Sequence, residues 1–314
     1  MIRFYSGIAT SRVTLRPFTR VHVGHPFLQI MNFRVNCKLD YTLDEAASFL
    51  FAFKCVETDG QKIISESLVT DPPVQIEEFH VGDGMNRFTR IKTWNPGKLA
   101  VSYQADIQTL VSLTDVSSLR EETTENLPPE VISYLFPSRY CESDRVRQMA
   151  HELFGKLEGN HVIAAAVSDW VHQQISYVSG SSGESCSAID TLNSRQGVCR
   201  DFAHLGIALC RALNLPARYV ACYAYQLVPQ DFHACFEVFI GGIWHVFDPT
   251  RLAPLNGLVR IATGRDAADA AVCTIFGNPE LTLSLVSCEC LDEEDFIQVT
   301  RDDLAARNQA ITLS

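Results

Sequence analysis

Hydrophobic and polar positions alternate with period two along the first third of the chain, from about Phe27 to Leu110. Three turn signals interrupt the alternation: Thr58-Asp59-Gly60, Gly82-Asp83-Gly84 and Asn95-Pro96-Gly97. Short β-branched and aromatic runs between such turns are typical of antiparallel strands. We therefore predict an antiparallel β-sandwich-like domain over residues 28–115. A polar stretch that ends in a Pro-Pro pair then predicts a linker over residues 116–142.

The pattern changes to helical spacing beyond the linker. It predicts helices over Ser143–Leu157 and His161–Gln174, and a third helix that begins near Cys199. Apolar runs then predict strands over Ala217–Tyr225, His233–Ile240 and Ile243–Phe247, with further β-rich sequence near Leu281–Cys288. We assign residues 143–300 to a second, α+β domain and residues 301–314 to a C-terminal tail.

The third predicted helix places a cysteine at its start. Apolar residues at helical spacing follow Cys199, and Asn214-Leu215-Pro216 ends the pattern. A thiol in the first turn of a helix experiences the positive end of the helix dipole and free backbone N–H groups, which favour the nucleophilic thiolate. Cys199 is therefore a candidate nucleophile, although a buried structural cysteine is the alternative for an arbitrary thiol.

A predicted hairpin supplies partners for this thiol. Gly241-Gly242 is a two-residue turn of the kind that joins antiparallel strands. Symmetric pairing about the turn places Cys235 opposite Asp248, and His233 diagonally from Asp248 on the same face of the sheet. Diagonal neighbours lie about 7–8 Å apart, which an imidazole and a carboxylate can bridge. The same register directs His245 to the other face, so it selects His233.

Composition and charge narrow the function further. The chain has 314 residues and a net charge of −11, so no basic surface favours binding to nucleic acid. No continuous apolar run is long enough to cross a membrane. Eleven irregularly spaced cysteines indicate reduced thiols and a cytoplasmic location. Cys288-Glu289-Cys290 lacks partners at zinc spacing, so we expect neither a metal site nor a cofactor.

The first residues have a composition of their own. Arginines occur throughout residues 1–27, and no acidic residue precedes Asp40, as in organellar transit peptides. The alternative, which we favour, is an extension from an upstream start codon, with Met31 close to the true beginning. We expect residues 1–27 to be poorly ordered and omit them from the fold prediction.

Several motifs together resemble those of the transglutaminase-like superfamily, in its bacterial branch of cysteine-protease-like proteins. They are Gly197-Val198-Cys199-Arg200-Asp201-Phe202-Ala203-His204-Leu205, Leu215-Pro216-Ala217-Arg218-Tyr219-Val220, His233-Ala234, Glu237-Val238, Trp244, Phe247-Asp248-Pro249-Thr250 and Gly264-Arg265-Asp266. The resemblance extends from about residue 28 to residue 290. It implies a papain/transglutaminase-like α+β core behind the β domain.

For the site, the resemblance implies a triad of Cys199, His233 and Asp248. The Cys199 N–H could stabilise an oxyanion, and Gln174 and Trp170 are candidates for further oxyanion or substrate contacts because they lie on the preceding helix. The chain departs from the family at Cys235, where a tryptophan is usual. We expect the smaller side chain to open the pocket.

The function predicted from these residues is thiol-dependent acyl transfer on amide bonds of peptides or proteins. Hydrolysis through a thioester is the leading reaction, because water needs no second binding site. Transamidation of protein glutamine is the alternative, since both reactions share the first half. A non-catalytic peptide-binding module is the alternative from another class.

Overall fold

The computed structural model describes residues 27–81, 85–121 and 123–313. The predicted extension and the turn at residues 82–84 therefore lie outside the described residues, except that Phe27 begins the first strand. The alternating part of the chain forms six strands: β1 (Phe27–Leu43), β2 (Ala47–Phe51), β3 (Gln61–Asp71), β4 (Ile76–Val81), β5 (Asn86–Thr93) and β6 (Gly97–Asp115). Every second residue of β6 is buried from Leu99 to Leu113, as the period-two pattern predicts.

The middle of the chain folds into helices and a second set of strands. The helices are α1 (Arg147–Phe154), α2 (Asn160–Gln174), α3 (Ala188–Ser194) and α4 (Cys199–Ala212). The strands are β7 (Ser176–Tyr177), β8 (Gln196–Gly197), β9 (Ala217–Ala224), β10 (His233–Ile240), β11 (Ile243–Phe247) and β12 (Leu258–Gly264). The predictions for α2, α4, β9, β10 and β11 agree with these bounds to within one residue, and α1 is shorter than predicted.

The last part of the chain returns to the first domain. It forms β13 (Cys273–Phe276), β14 (Glu280–Cys290), α5 (Arg301–Arg307) and β15 (Gln309–Thr312). β13 pairs with β2, β14 with β1, and β15 with β6. The sequence pattern alone places these segments in the second domain and in the C-terminal tail. A hydrophobic pattern indicates a strand but not its partner, because pairing joins residues that are far apart in sequence.

The completed β domain has two sheets. One runs in the order β14-β1-β6-β15, with β3 also paired to β6, and the other in the order β13-β2-β5-β4. Aromatic side chains fill the core between them, including Phe33, Phe49, Phe51 and Phe53. The same buried cluster continues into α4, so the two domains share one hydrophobic core.

The second domain is built on an antiparallel sheet in the order β11-β10-β9-β12, with α4 packed on β10. Glu237 on β10 is fully buried and forms ion pairs with Arg218 on β9 and Arg260 on β12. A buried charge requires such partners, so this triplet joins three neighbouring strands through their side chains. The resulting architecture is an α+β core that follows a β-sandwich-like domain.

Candidate active site

Cys199 is the first residue of α4, as predicted, and it is half-buried. Val198 precedes it in an extended conformation, and its N–H donates a 2.8 Å hydrogen bond to the carboxylate of Asp201. This contact caps the helix, which is the role expected for an acidic residue in the first turn. The thiol therefore lies at the positive end of a well-capped helix.

A glycine sets the distance between this helix and the sheet. A Cβ added at Gly206 would lie 2.6 Å from a ring carbon of Phe236. Real Cβ atoms do not approach so closely, so the backbone of α4 reaches the Phe236 ring only because residue 206 lacks a side chain. The close packing of α4 on β10 brings the first turn of the helix near His233, the first residue of the strand.

The hairpin has the predicted register. Phe236 pairs with Phe247, Val238 with His245, and Ile240 with Ile243 across the Gly241-Gly242 turn. Asp248 follows β11 directly. His245 lies on the other face, where its ring contacts that of His161 at a centroid distance of 6.1 Å. His245 has its predicted partner, Val238, but it shares the face of Phe236 on which α4 packs, so strand alternation alone does not select His233.

The imidazole of His233 and the carboxylate of Asp248 form a buried pair. His233 Nε2 lies 2.8 Å from Asp248 Oδ2, and both side chains are 1% exposed. Thr250 holds the other carboxylate oxygen, to which its N–H donates at 2.9 Å and its hydroxyl at 2.7 Å. The carboxylate is fixed on both sides, so the orientation of the imidazole is fixed as well.

Charge stabilises this pair in its ionised form. Burial alone lowers the pKa of His233, but the charge and hydrogen bond of Asp248, together with the Cys199 thiol, raise it well above its usual value. Burial raises the pKa of Asp248, whereas His233 and the Thr250 hydrogen bonds lower it further, so its net shift is downward. The pocket therefore favours an imidazolium beside a carboxylate.

The thiol of Cys199 lies near the imidazole of His233 and contributes to its raised pKa. Nε2 of His233 is bonded to Asp248, so Nδ1 is the nitrogen left for the thiol, which interacts with the His233 side chain. The structure thus brings the side chains of Cys199, His233 and Asp248 close to one another. A thiol, a base and a group that orients the base form the arrangement required for nucleophilic acyl transfer.

Two family models match the chain. Residues 147–249 match the transglutaminase-like superfamily, and residues 31–128 match the bacterial transglutaminase N-terminal domain. A crystal structure described as that of a candidate cysteine protease from Cytophaga hutchinsonii is 44% identical to this chain, with a TM-score of 0.89. The match covers 92% of this chain and 100% of that one. The chain belongs to the transglutaminase-like superfamily.

Relatives among curated proteins are matched over shorter regions. An uncharacterised protein of Mycobacterium leprae is 33% identical over 147 residues, which cover 44% of this chain and 52% of that protein. An uncharacterised protein of Mycobacterium tuberculosis is 34% identical over 107 residues, which cover 34% of this chain and 31% of that protein. The match thus spans half of the first relative and a third of the second.

The two candidates for further contacts lie on α2 of the transglutaminase-like core. Trp170 packs edge-on against Phe154, and the guanidinium of Arg195 lies 5.6 Å from the centre of its ring. Gln174 is exposed at the last position of the helix. Among the described residues, no hydrogen bond connects either side chain to the triad residues.

Cys235 does not open the pocket of the transglutaminase-like core, contrary to the expectation from sequence. Its side chain is fully buried in an apolar cluster with Val220 and Cys222. A hydrogen bond that Cys235 donates to Cys222, followed by burial, raises its pKa well above the usual value. The face that carries Cys235 is covered by β15 and its neighbours, which the sequence analysis did not assign to this position.

The sequence pattern does not predict the contacts that two further residues, Thr250 and Tyr177, make in the site. Thr250 belongs to the Phe247-Asp248-Pro249-Thr250 motif, but its hydrogen bonds to Asp248 depend on the turn after β11. Tyr177 lies beside Cys199 through the pairing of β7 and β8, which are two residues long and have no readable period. An aromatic residue shortly after a predicted helix is the one signal that the sequence carries for it.

The described ranges contain no group of three or more His, Cys, Asp or Glu side chains arranged to hold a metal ion. Within the same ranges, none of the helices has the length and apolar character needed to span a bilayer.

Proposed function

We propose that this protein is a thiol-dependent acyl-transfer enzyme that hydrolyses amide bonds of peptides or proteins. The observation that carries the proposal is the buried His233–Asp248 pair, with the thiol of Cys199 on the free side of the imidazole. The membership of the chain in the transglutaminase-like superfamily and its 44% sequence identity with a candidate cysteine protease support the same chemistry.

In the proposed reaction, the thiol proton resides on His233 Nδ1 in an imidazolium–thiolate pair, and the thiolate sulfur of Cys199 attacks the amide carbonyl. A C–S bond forms and the carbonyl electrons move onto oxygen. The oxyanion then collapses, the C–N bond breaks, and the proton on His233 goes to the leaving amine. The product of this half-reaction is a thioester on Cys199.

Water completes the cycle. His233 takes a proton from water, the oxygen attacks the thioester, and the carboxylic acid leaves as the sulfur regains its proton. Asp248 accepts the Nε2–H of His233 and stabilises the imidazolium in both halves. One N–H at the start of α4 supplies a donor for the oxyanion.

The decisive experiment is substrate profiling with a peptide library. We expect the wild-type protein to cleave a subset of peptides and the Cys199→Ala variant to cleave none. Cys186→Ala is a matched control, because Cys186 is also half-buried but lies outside the triad. Unchanged cleavage by Cys199→Ala would rule out the proposal.

Transamidation is the second candidate, and the match to the transglutaminase-like superfamily favours it. It differs only in the second half, in which a lysine amine replaces water as the attacking group. We prefer hydrolysis because it needs no second binding site. Intact-mass detection of a glutamine–lysine cross-link between two peptides would establish transamidation instead.

We also propose a cytoplasmic location with reduced cysteines. The support is the odd number and irregular spacing of the eleven cysteines. Thiol titration of the denatured protein, purified from its native cells without reductant, should find all eleven cysteines free. A lower count would point to an oxidising compartment.

A further inference from the structure

Tyr177 lies beside the nucleophile but has no part in the triad. It is the last residue of β7 and pairs with Gly197 of β8 in a parallel ladder. The next residue, Val178, donates its N–H to the Gly197 carbonyl at 3.0 Å. Gly197 precedes Cys199 by two residues, so this ladder holds the phenol at the start of α4.

The ring of Tyr177 packs against α4, and part of the residue is exposed to solvent. The ring lies 5.9 Å from that of Phe202 on the first turn of α4, and the residue is 44% exposed. The Cys199 backbone N–H, the Cys199 thiol and His233 all influence the pKa of Tyr177, so these groups lie near the phenol. The phenol of Tyr177 is therefore close to the thiol and the imidazole that acyl transfer needs.

The hydroxyl keeps its proton in this position. Burial, followed by the neighbouring Cys199 thiol, raises the pKa of Tyr177 above its usual value, even though His233 and the Cys199 N–H act in the opposite direction. A phenol that stays protonated can donate a hydrogen bond. Developing negative charge on a substrate oxygen needs such a donor.

We propose that the Tyr177 hydroxyl is the second oxyanion donor, an inference that rests on the acyl-transfer function proposed above. In this proposal the phenol oxygen of the resting site lies in front of the Cys199 N–H, at the end of the β7–β8 ladder. An incoming carbonyl oxygen replaces it as the acceptor of that N–H. The displaced hydroxyl then donates its own hydrogen to the same oxygen.

Tyr177 fits this role better than the two residues expected from sequence. Gln174 is three residues earlier, at the exposed end of α2, and Trp170 is packed between Phe154 and Arg195. Of the three residues, Tyr177 is the one that the β7–β8 ladder holds beside the segment leading into Cys199.

The test compares two reactions of Cys199 in a Tyr177→Phe variant. Acetylation by p-nitrophenyl acetate passes through a tetrahedral oxyanion, whereas alkylation by iodoacetamide does not. We expect acetylation to slow by about 100-fold, the typical cost of one oxyanion donor, and alkylation to stay within about twofold. Mass mapping of digested protein assigns both modifications to Cys199.

Tyr225→Phe is the matched control, because it removes another tyrosine hydroxyl, one that hydrogen-bonds Glu293 in the β domain. Equal acetylation rates in wild type and Tyr177→Phe would overturn the inference. So would a parallel fall in both reactions, which would show that Tyr177 acts on the thiol. Faster acetylation would show that the hydroxyl only blocks the site.

The same experiment separates this inference from the proposed function. If wild-type Cys199 is acetylated no faster than the other half-buried thiols, Cys186, Cys273 and Cys290, the acyl-transfer function itself fails. If wild-type Cys199 reacts selectively and Tyr177→Phe has no effect, only the assignment of Tyr177 fails.

Discussion

The pairing of His233 with Asp248 links the chemistry of the site to pH. The pKa of Asp248 is lowered, so its contribution to stability is present above its unfolded pKa and is lost as the pH falls through the folded value. The pKa of His233 is raised, so its contribution is present below its unfolded pKa and is lost as the pH rises through the folded value. At pH values between the two folded pKa values, both groups are charged.

Replacing Asp248 with asparagine should disconnect this pair. Burial would then dominate at His233 and lower its pKa, so less imidazolium would be present at pH 7 to stabilise the thiolate of Cys199. We expect peptide turnover by Asp248→Asn to fall by roughly 10⁴-fold, an effect of the size seen when a triad carboxylate is neutralised. The pH profile of Cys199 alkylation measures the change.

Asp269→Asn serves as the control for charge removal, because Asp269 pairs with Arg265 outside the triad. It should leave both turnover and the alkylation profile unchanged. Identical profiles for wild type and Asp248→Asn would contradict the role assigned to the carboxylate.

Cys199, His233 and Asp248 could be named from the sequence, but not all of their contacts could. Cys199 was identified by its place in a helical period, and His233 by the register of one hairpin, because both signals are local. The contacts of Thr250 and Tyr177 depend on a turn and on a two-residue parallel ladder, whose geometry leaves no periodic trace in the sequence. The link between helix and hairpin came from the family resemblance alone.

At the scale of elements, the packing of α4 on β10 determines whether thiol and imidazole meet. Gly206→Ala in a helix interior would ordinarily add about 1 kcal/mol of stability. Here the new methyl group would lie 2.6 Å from the Phe236 ring, and overpacking costs about 1–3 kcal/mol. We expect Gly206→Ala to lower the urea midpoint of unfolding.

A second substitution distinguishes overpacking from other effects. Phe236→Leu removes the ring that the new methyl group meets. Gly206→Ala should therefore lower the urea midpoint less in the Phe236→Leu background than in the wild type. A urea midpoint for Gly206→Ala above that of wild type would show that the helix is free to move away from β10.

Regular elements were predictable because their periods are long enough to read. β10 and β11 have the predicted bounds, and α4 begins at the predicted residue. The short helix α3 was not predicted, because seven residues give less than two full helical turns. Its start is visible only as a capping pair, in which Ser187 and Asp190 bond each other's backbone N–H groups.

At the scale of the whole molecule, the β domain depends on strands from the far end of the chain. β14 covers the edge of β1 over ten paired positions, from Phe33 opposite Cys290 to Thr42 opposite Glu280. β15 places Ile311 opposite Leu113 on β6. Without these strands, apolar edges would be exposed to solvent.

The isolated segment 28–115 should therefore fail to fold. We expect poorly dispersed amide signals in its two-dimensional NMR spectrum, or aggregation. Residues 28–313 retain all of the described strands, so this longer chain is the control and should give a dispersed spectrum. A dispersed spectrum and cooperative unfolding of 28–115 alone would contradict the dependence on β13, β14 and β15.

The central claim is that peptide acyl groups pass through a covalent bond to Cys199. The most direct measurement is to mix the protein with intact peptides that it cleaves, quench the reaction in acid and map the digested protein by mass spectrometry. We predict a hydroxylamine-sensitive acyl group on Cys199 in the wild type and none in His233→Ala. Cleavage of the peptides with no acyl group on Cys199, or with the group on another residue, would contradict the account.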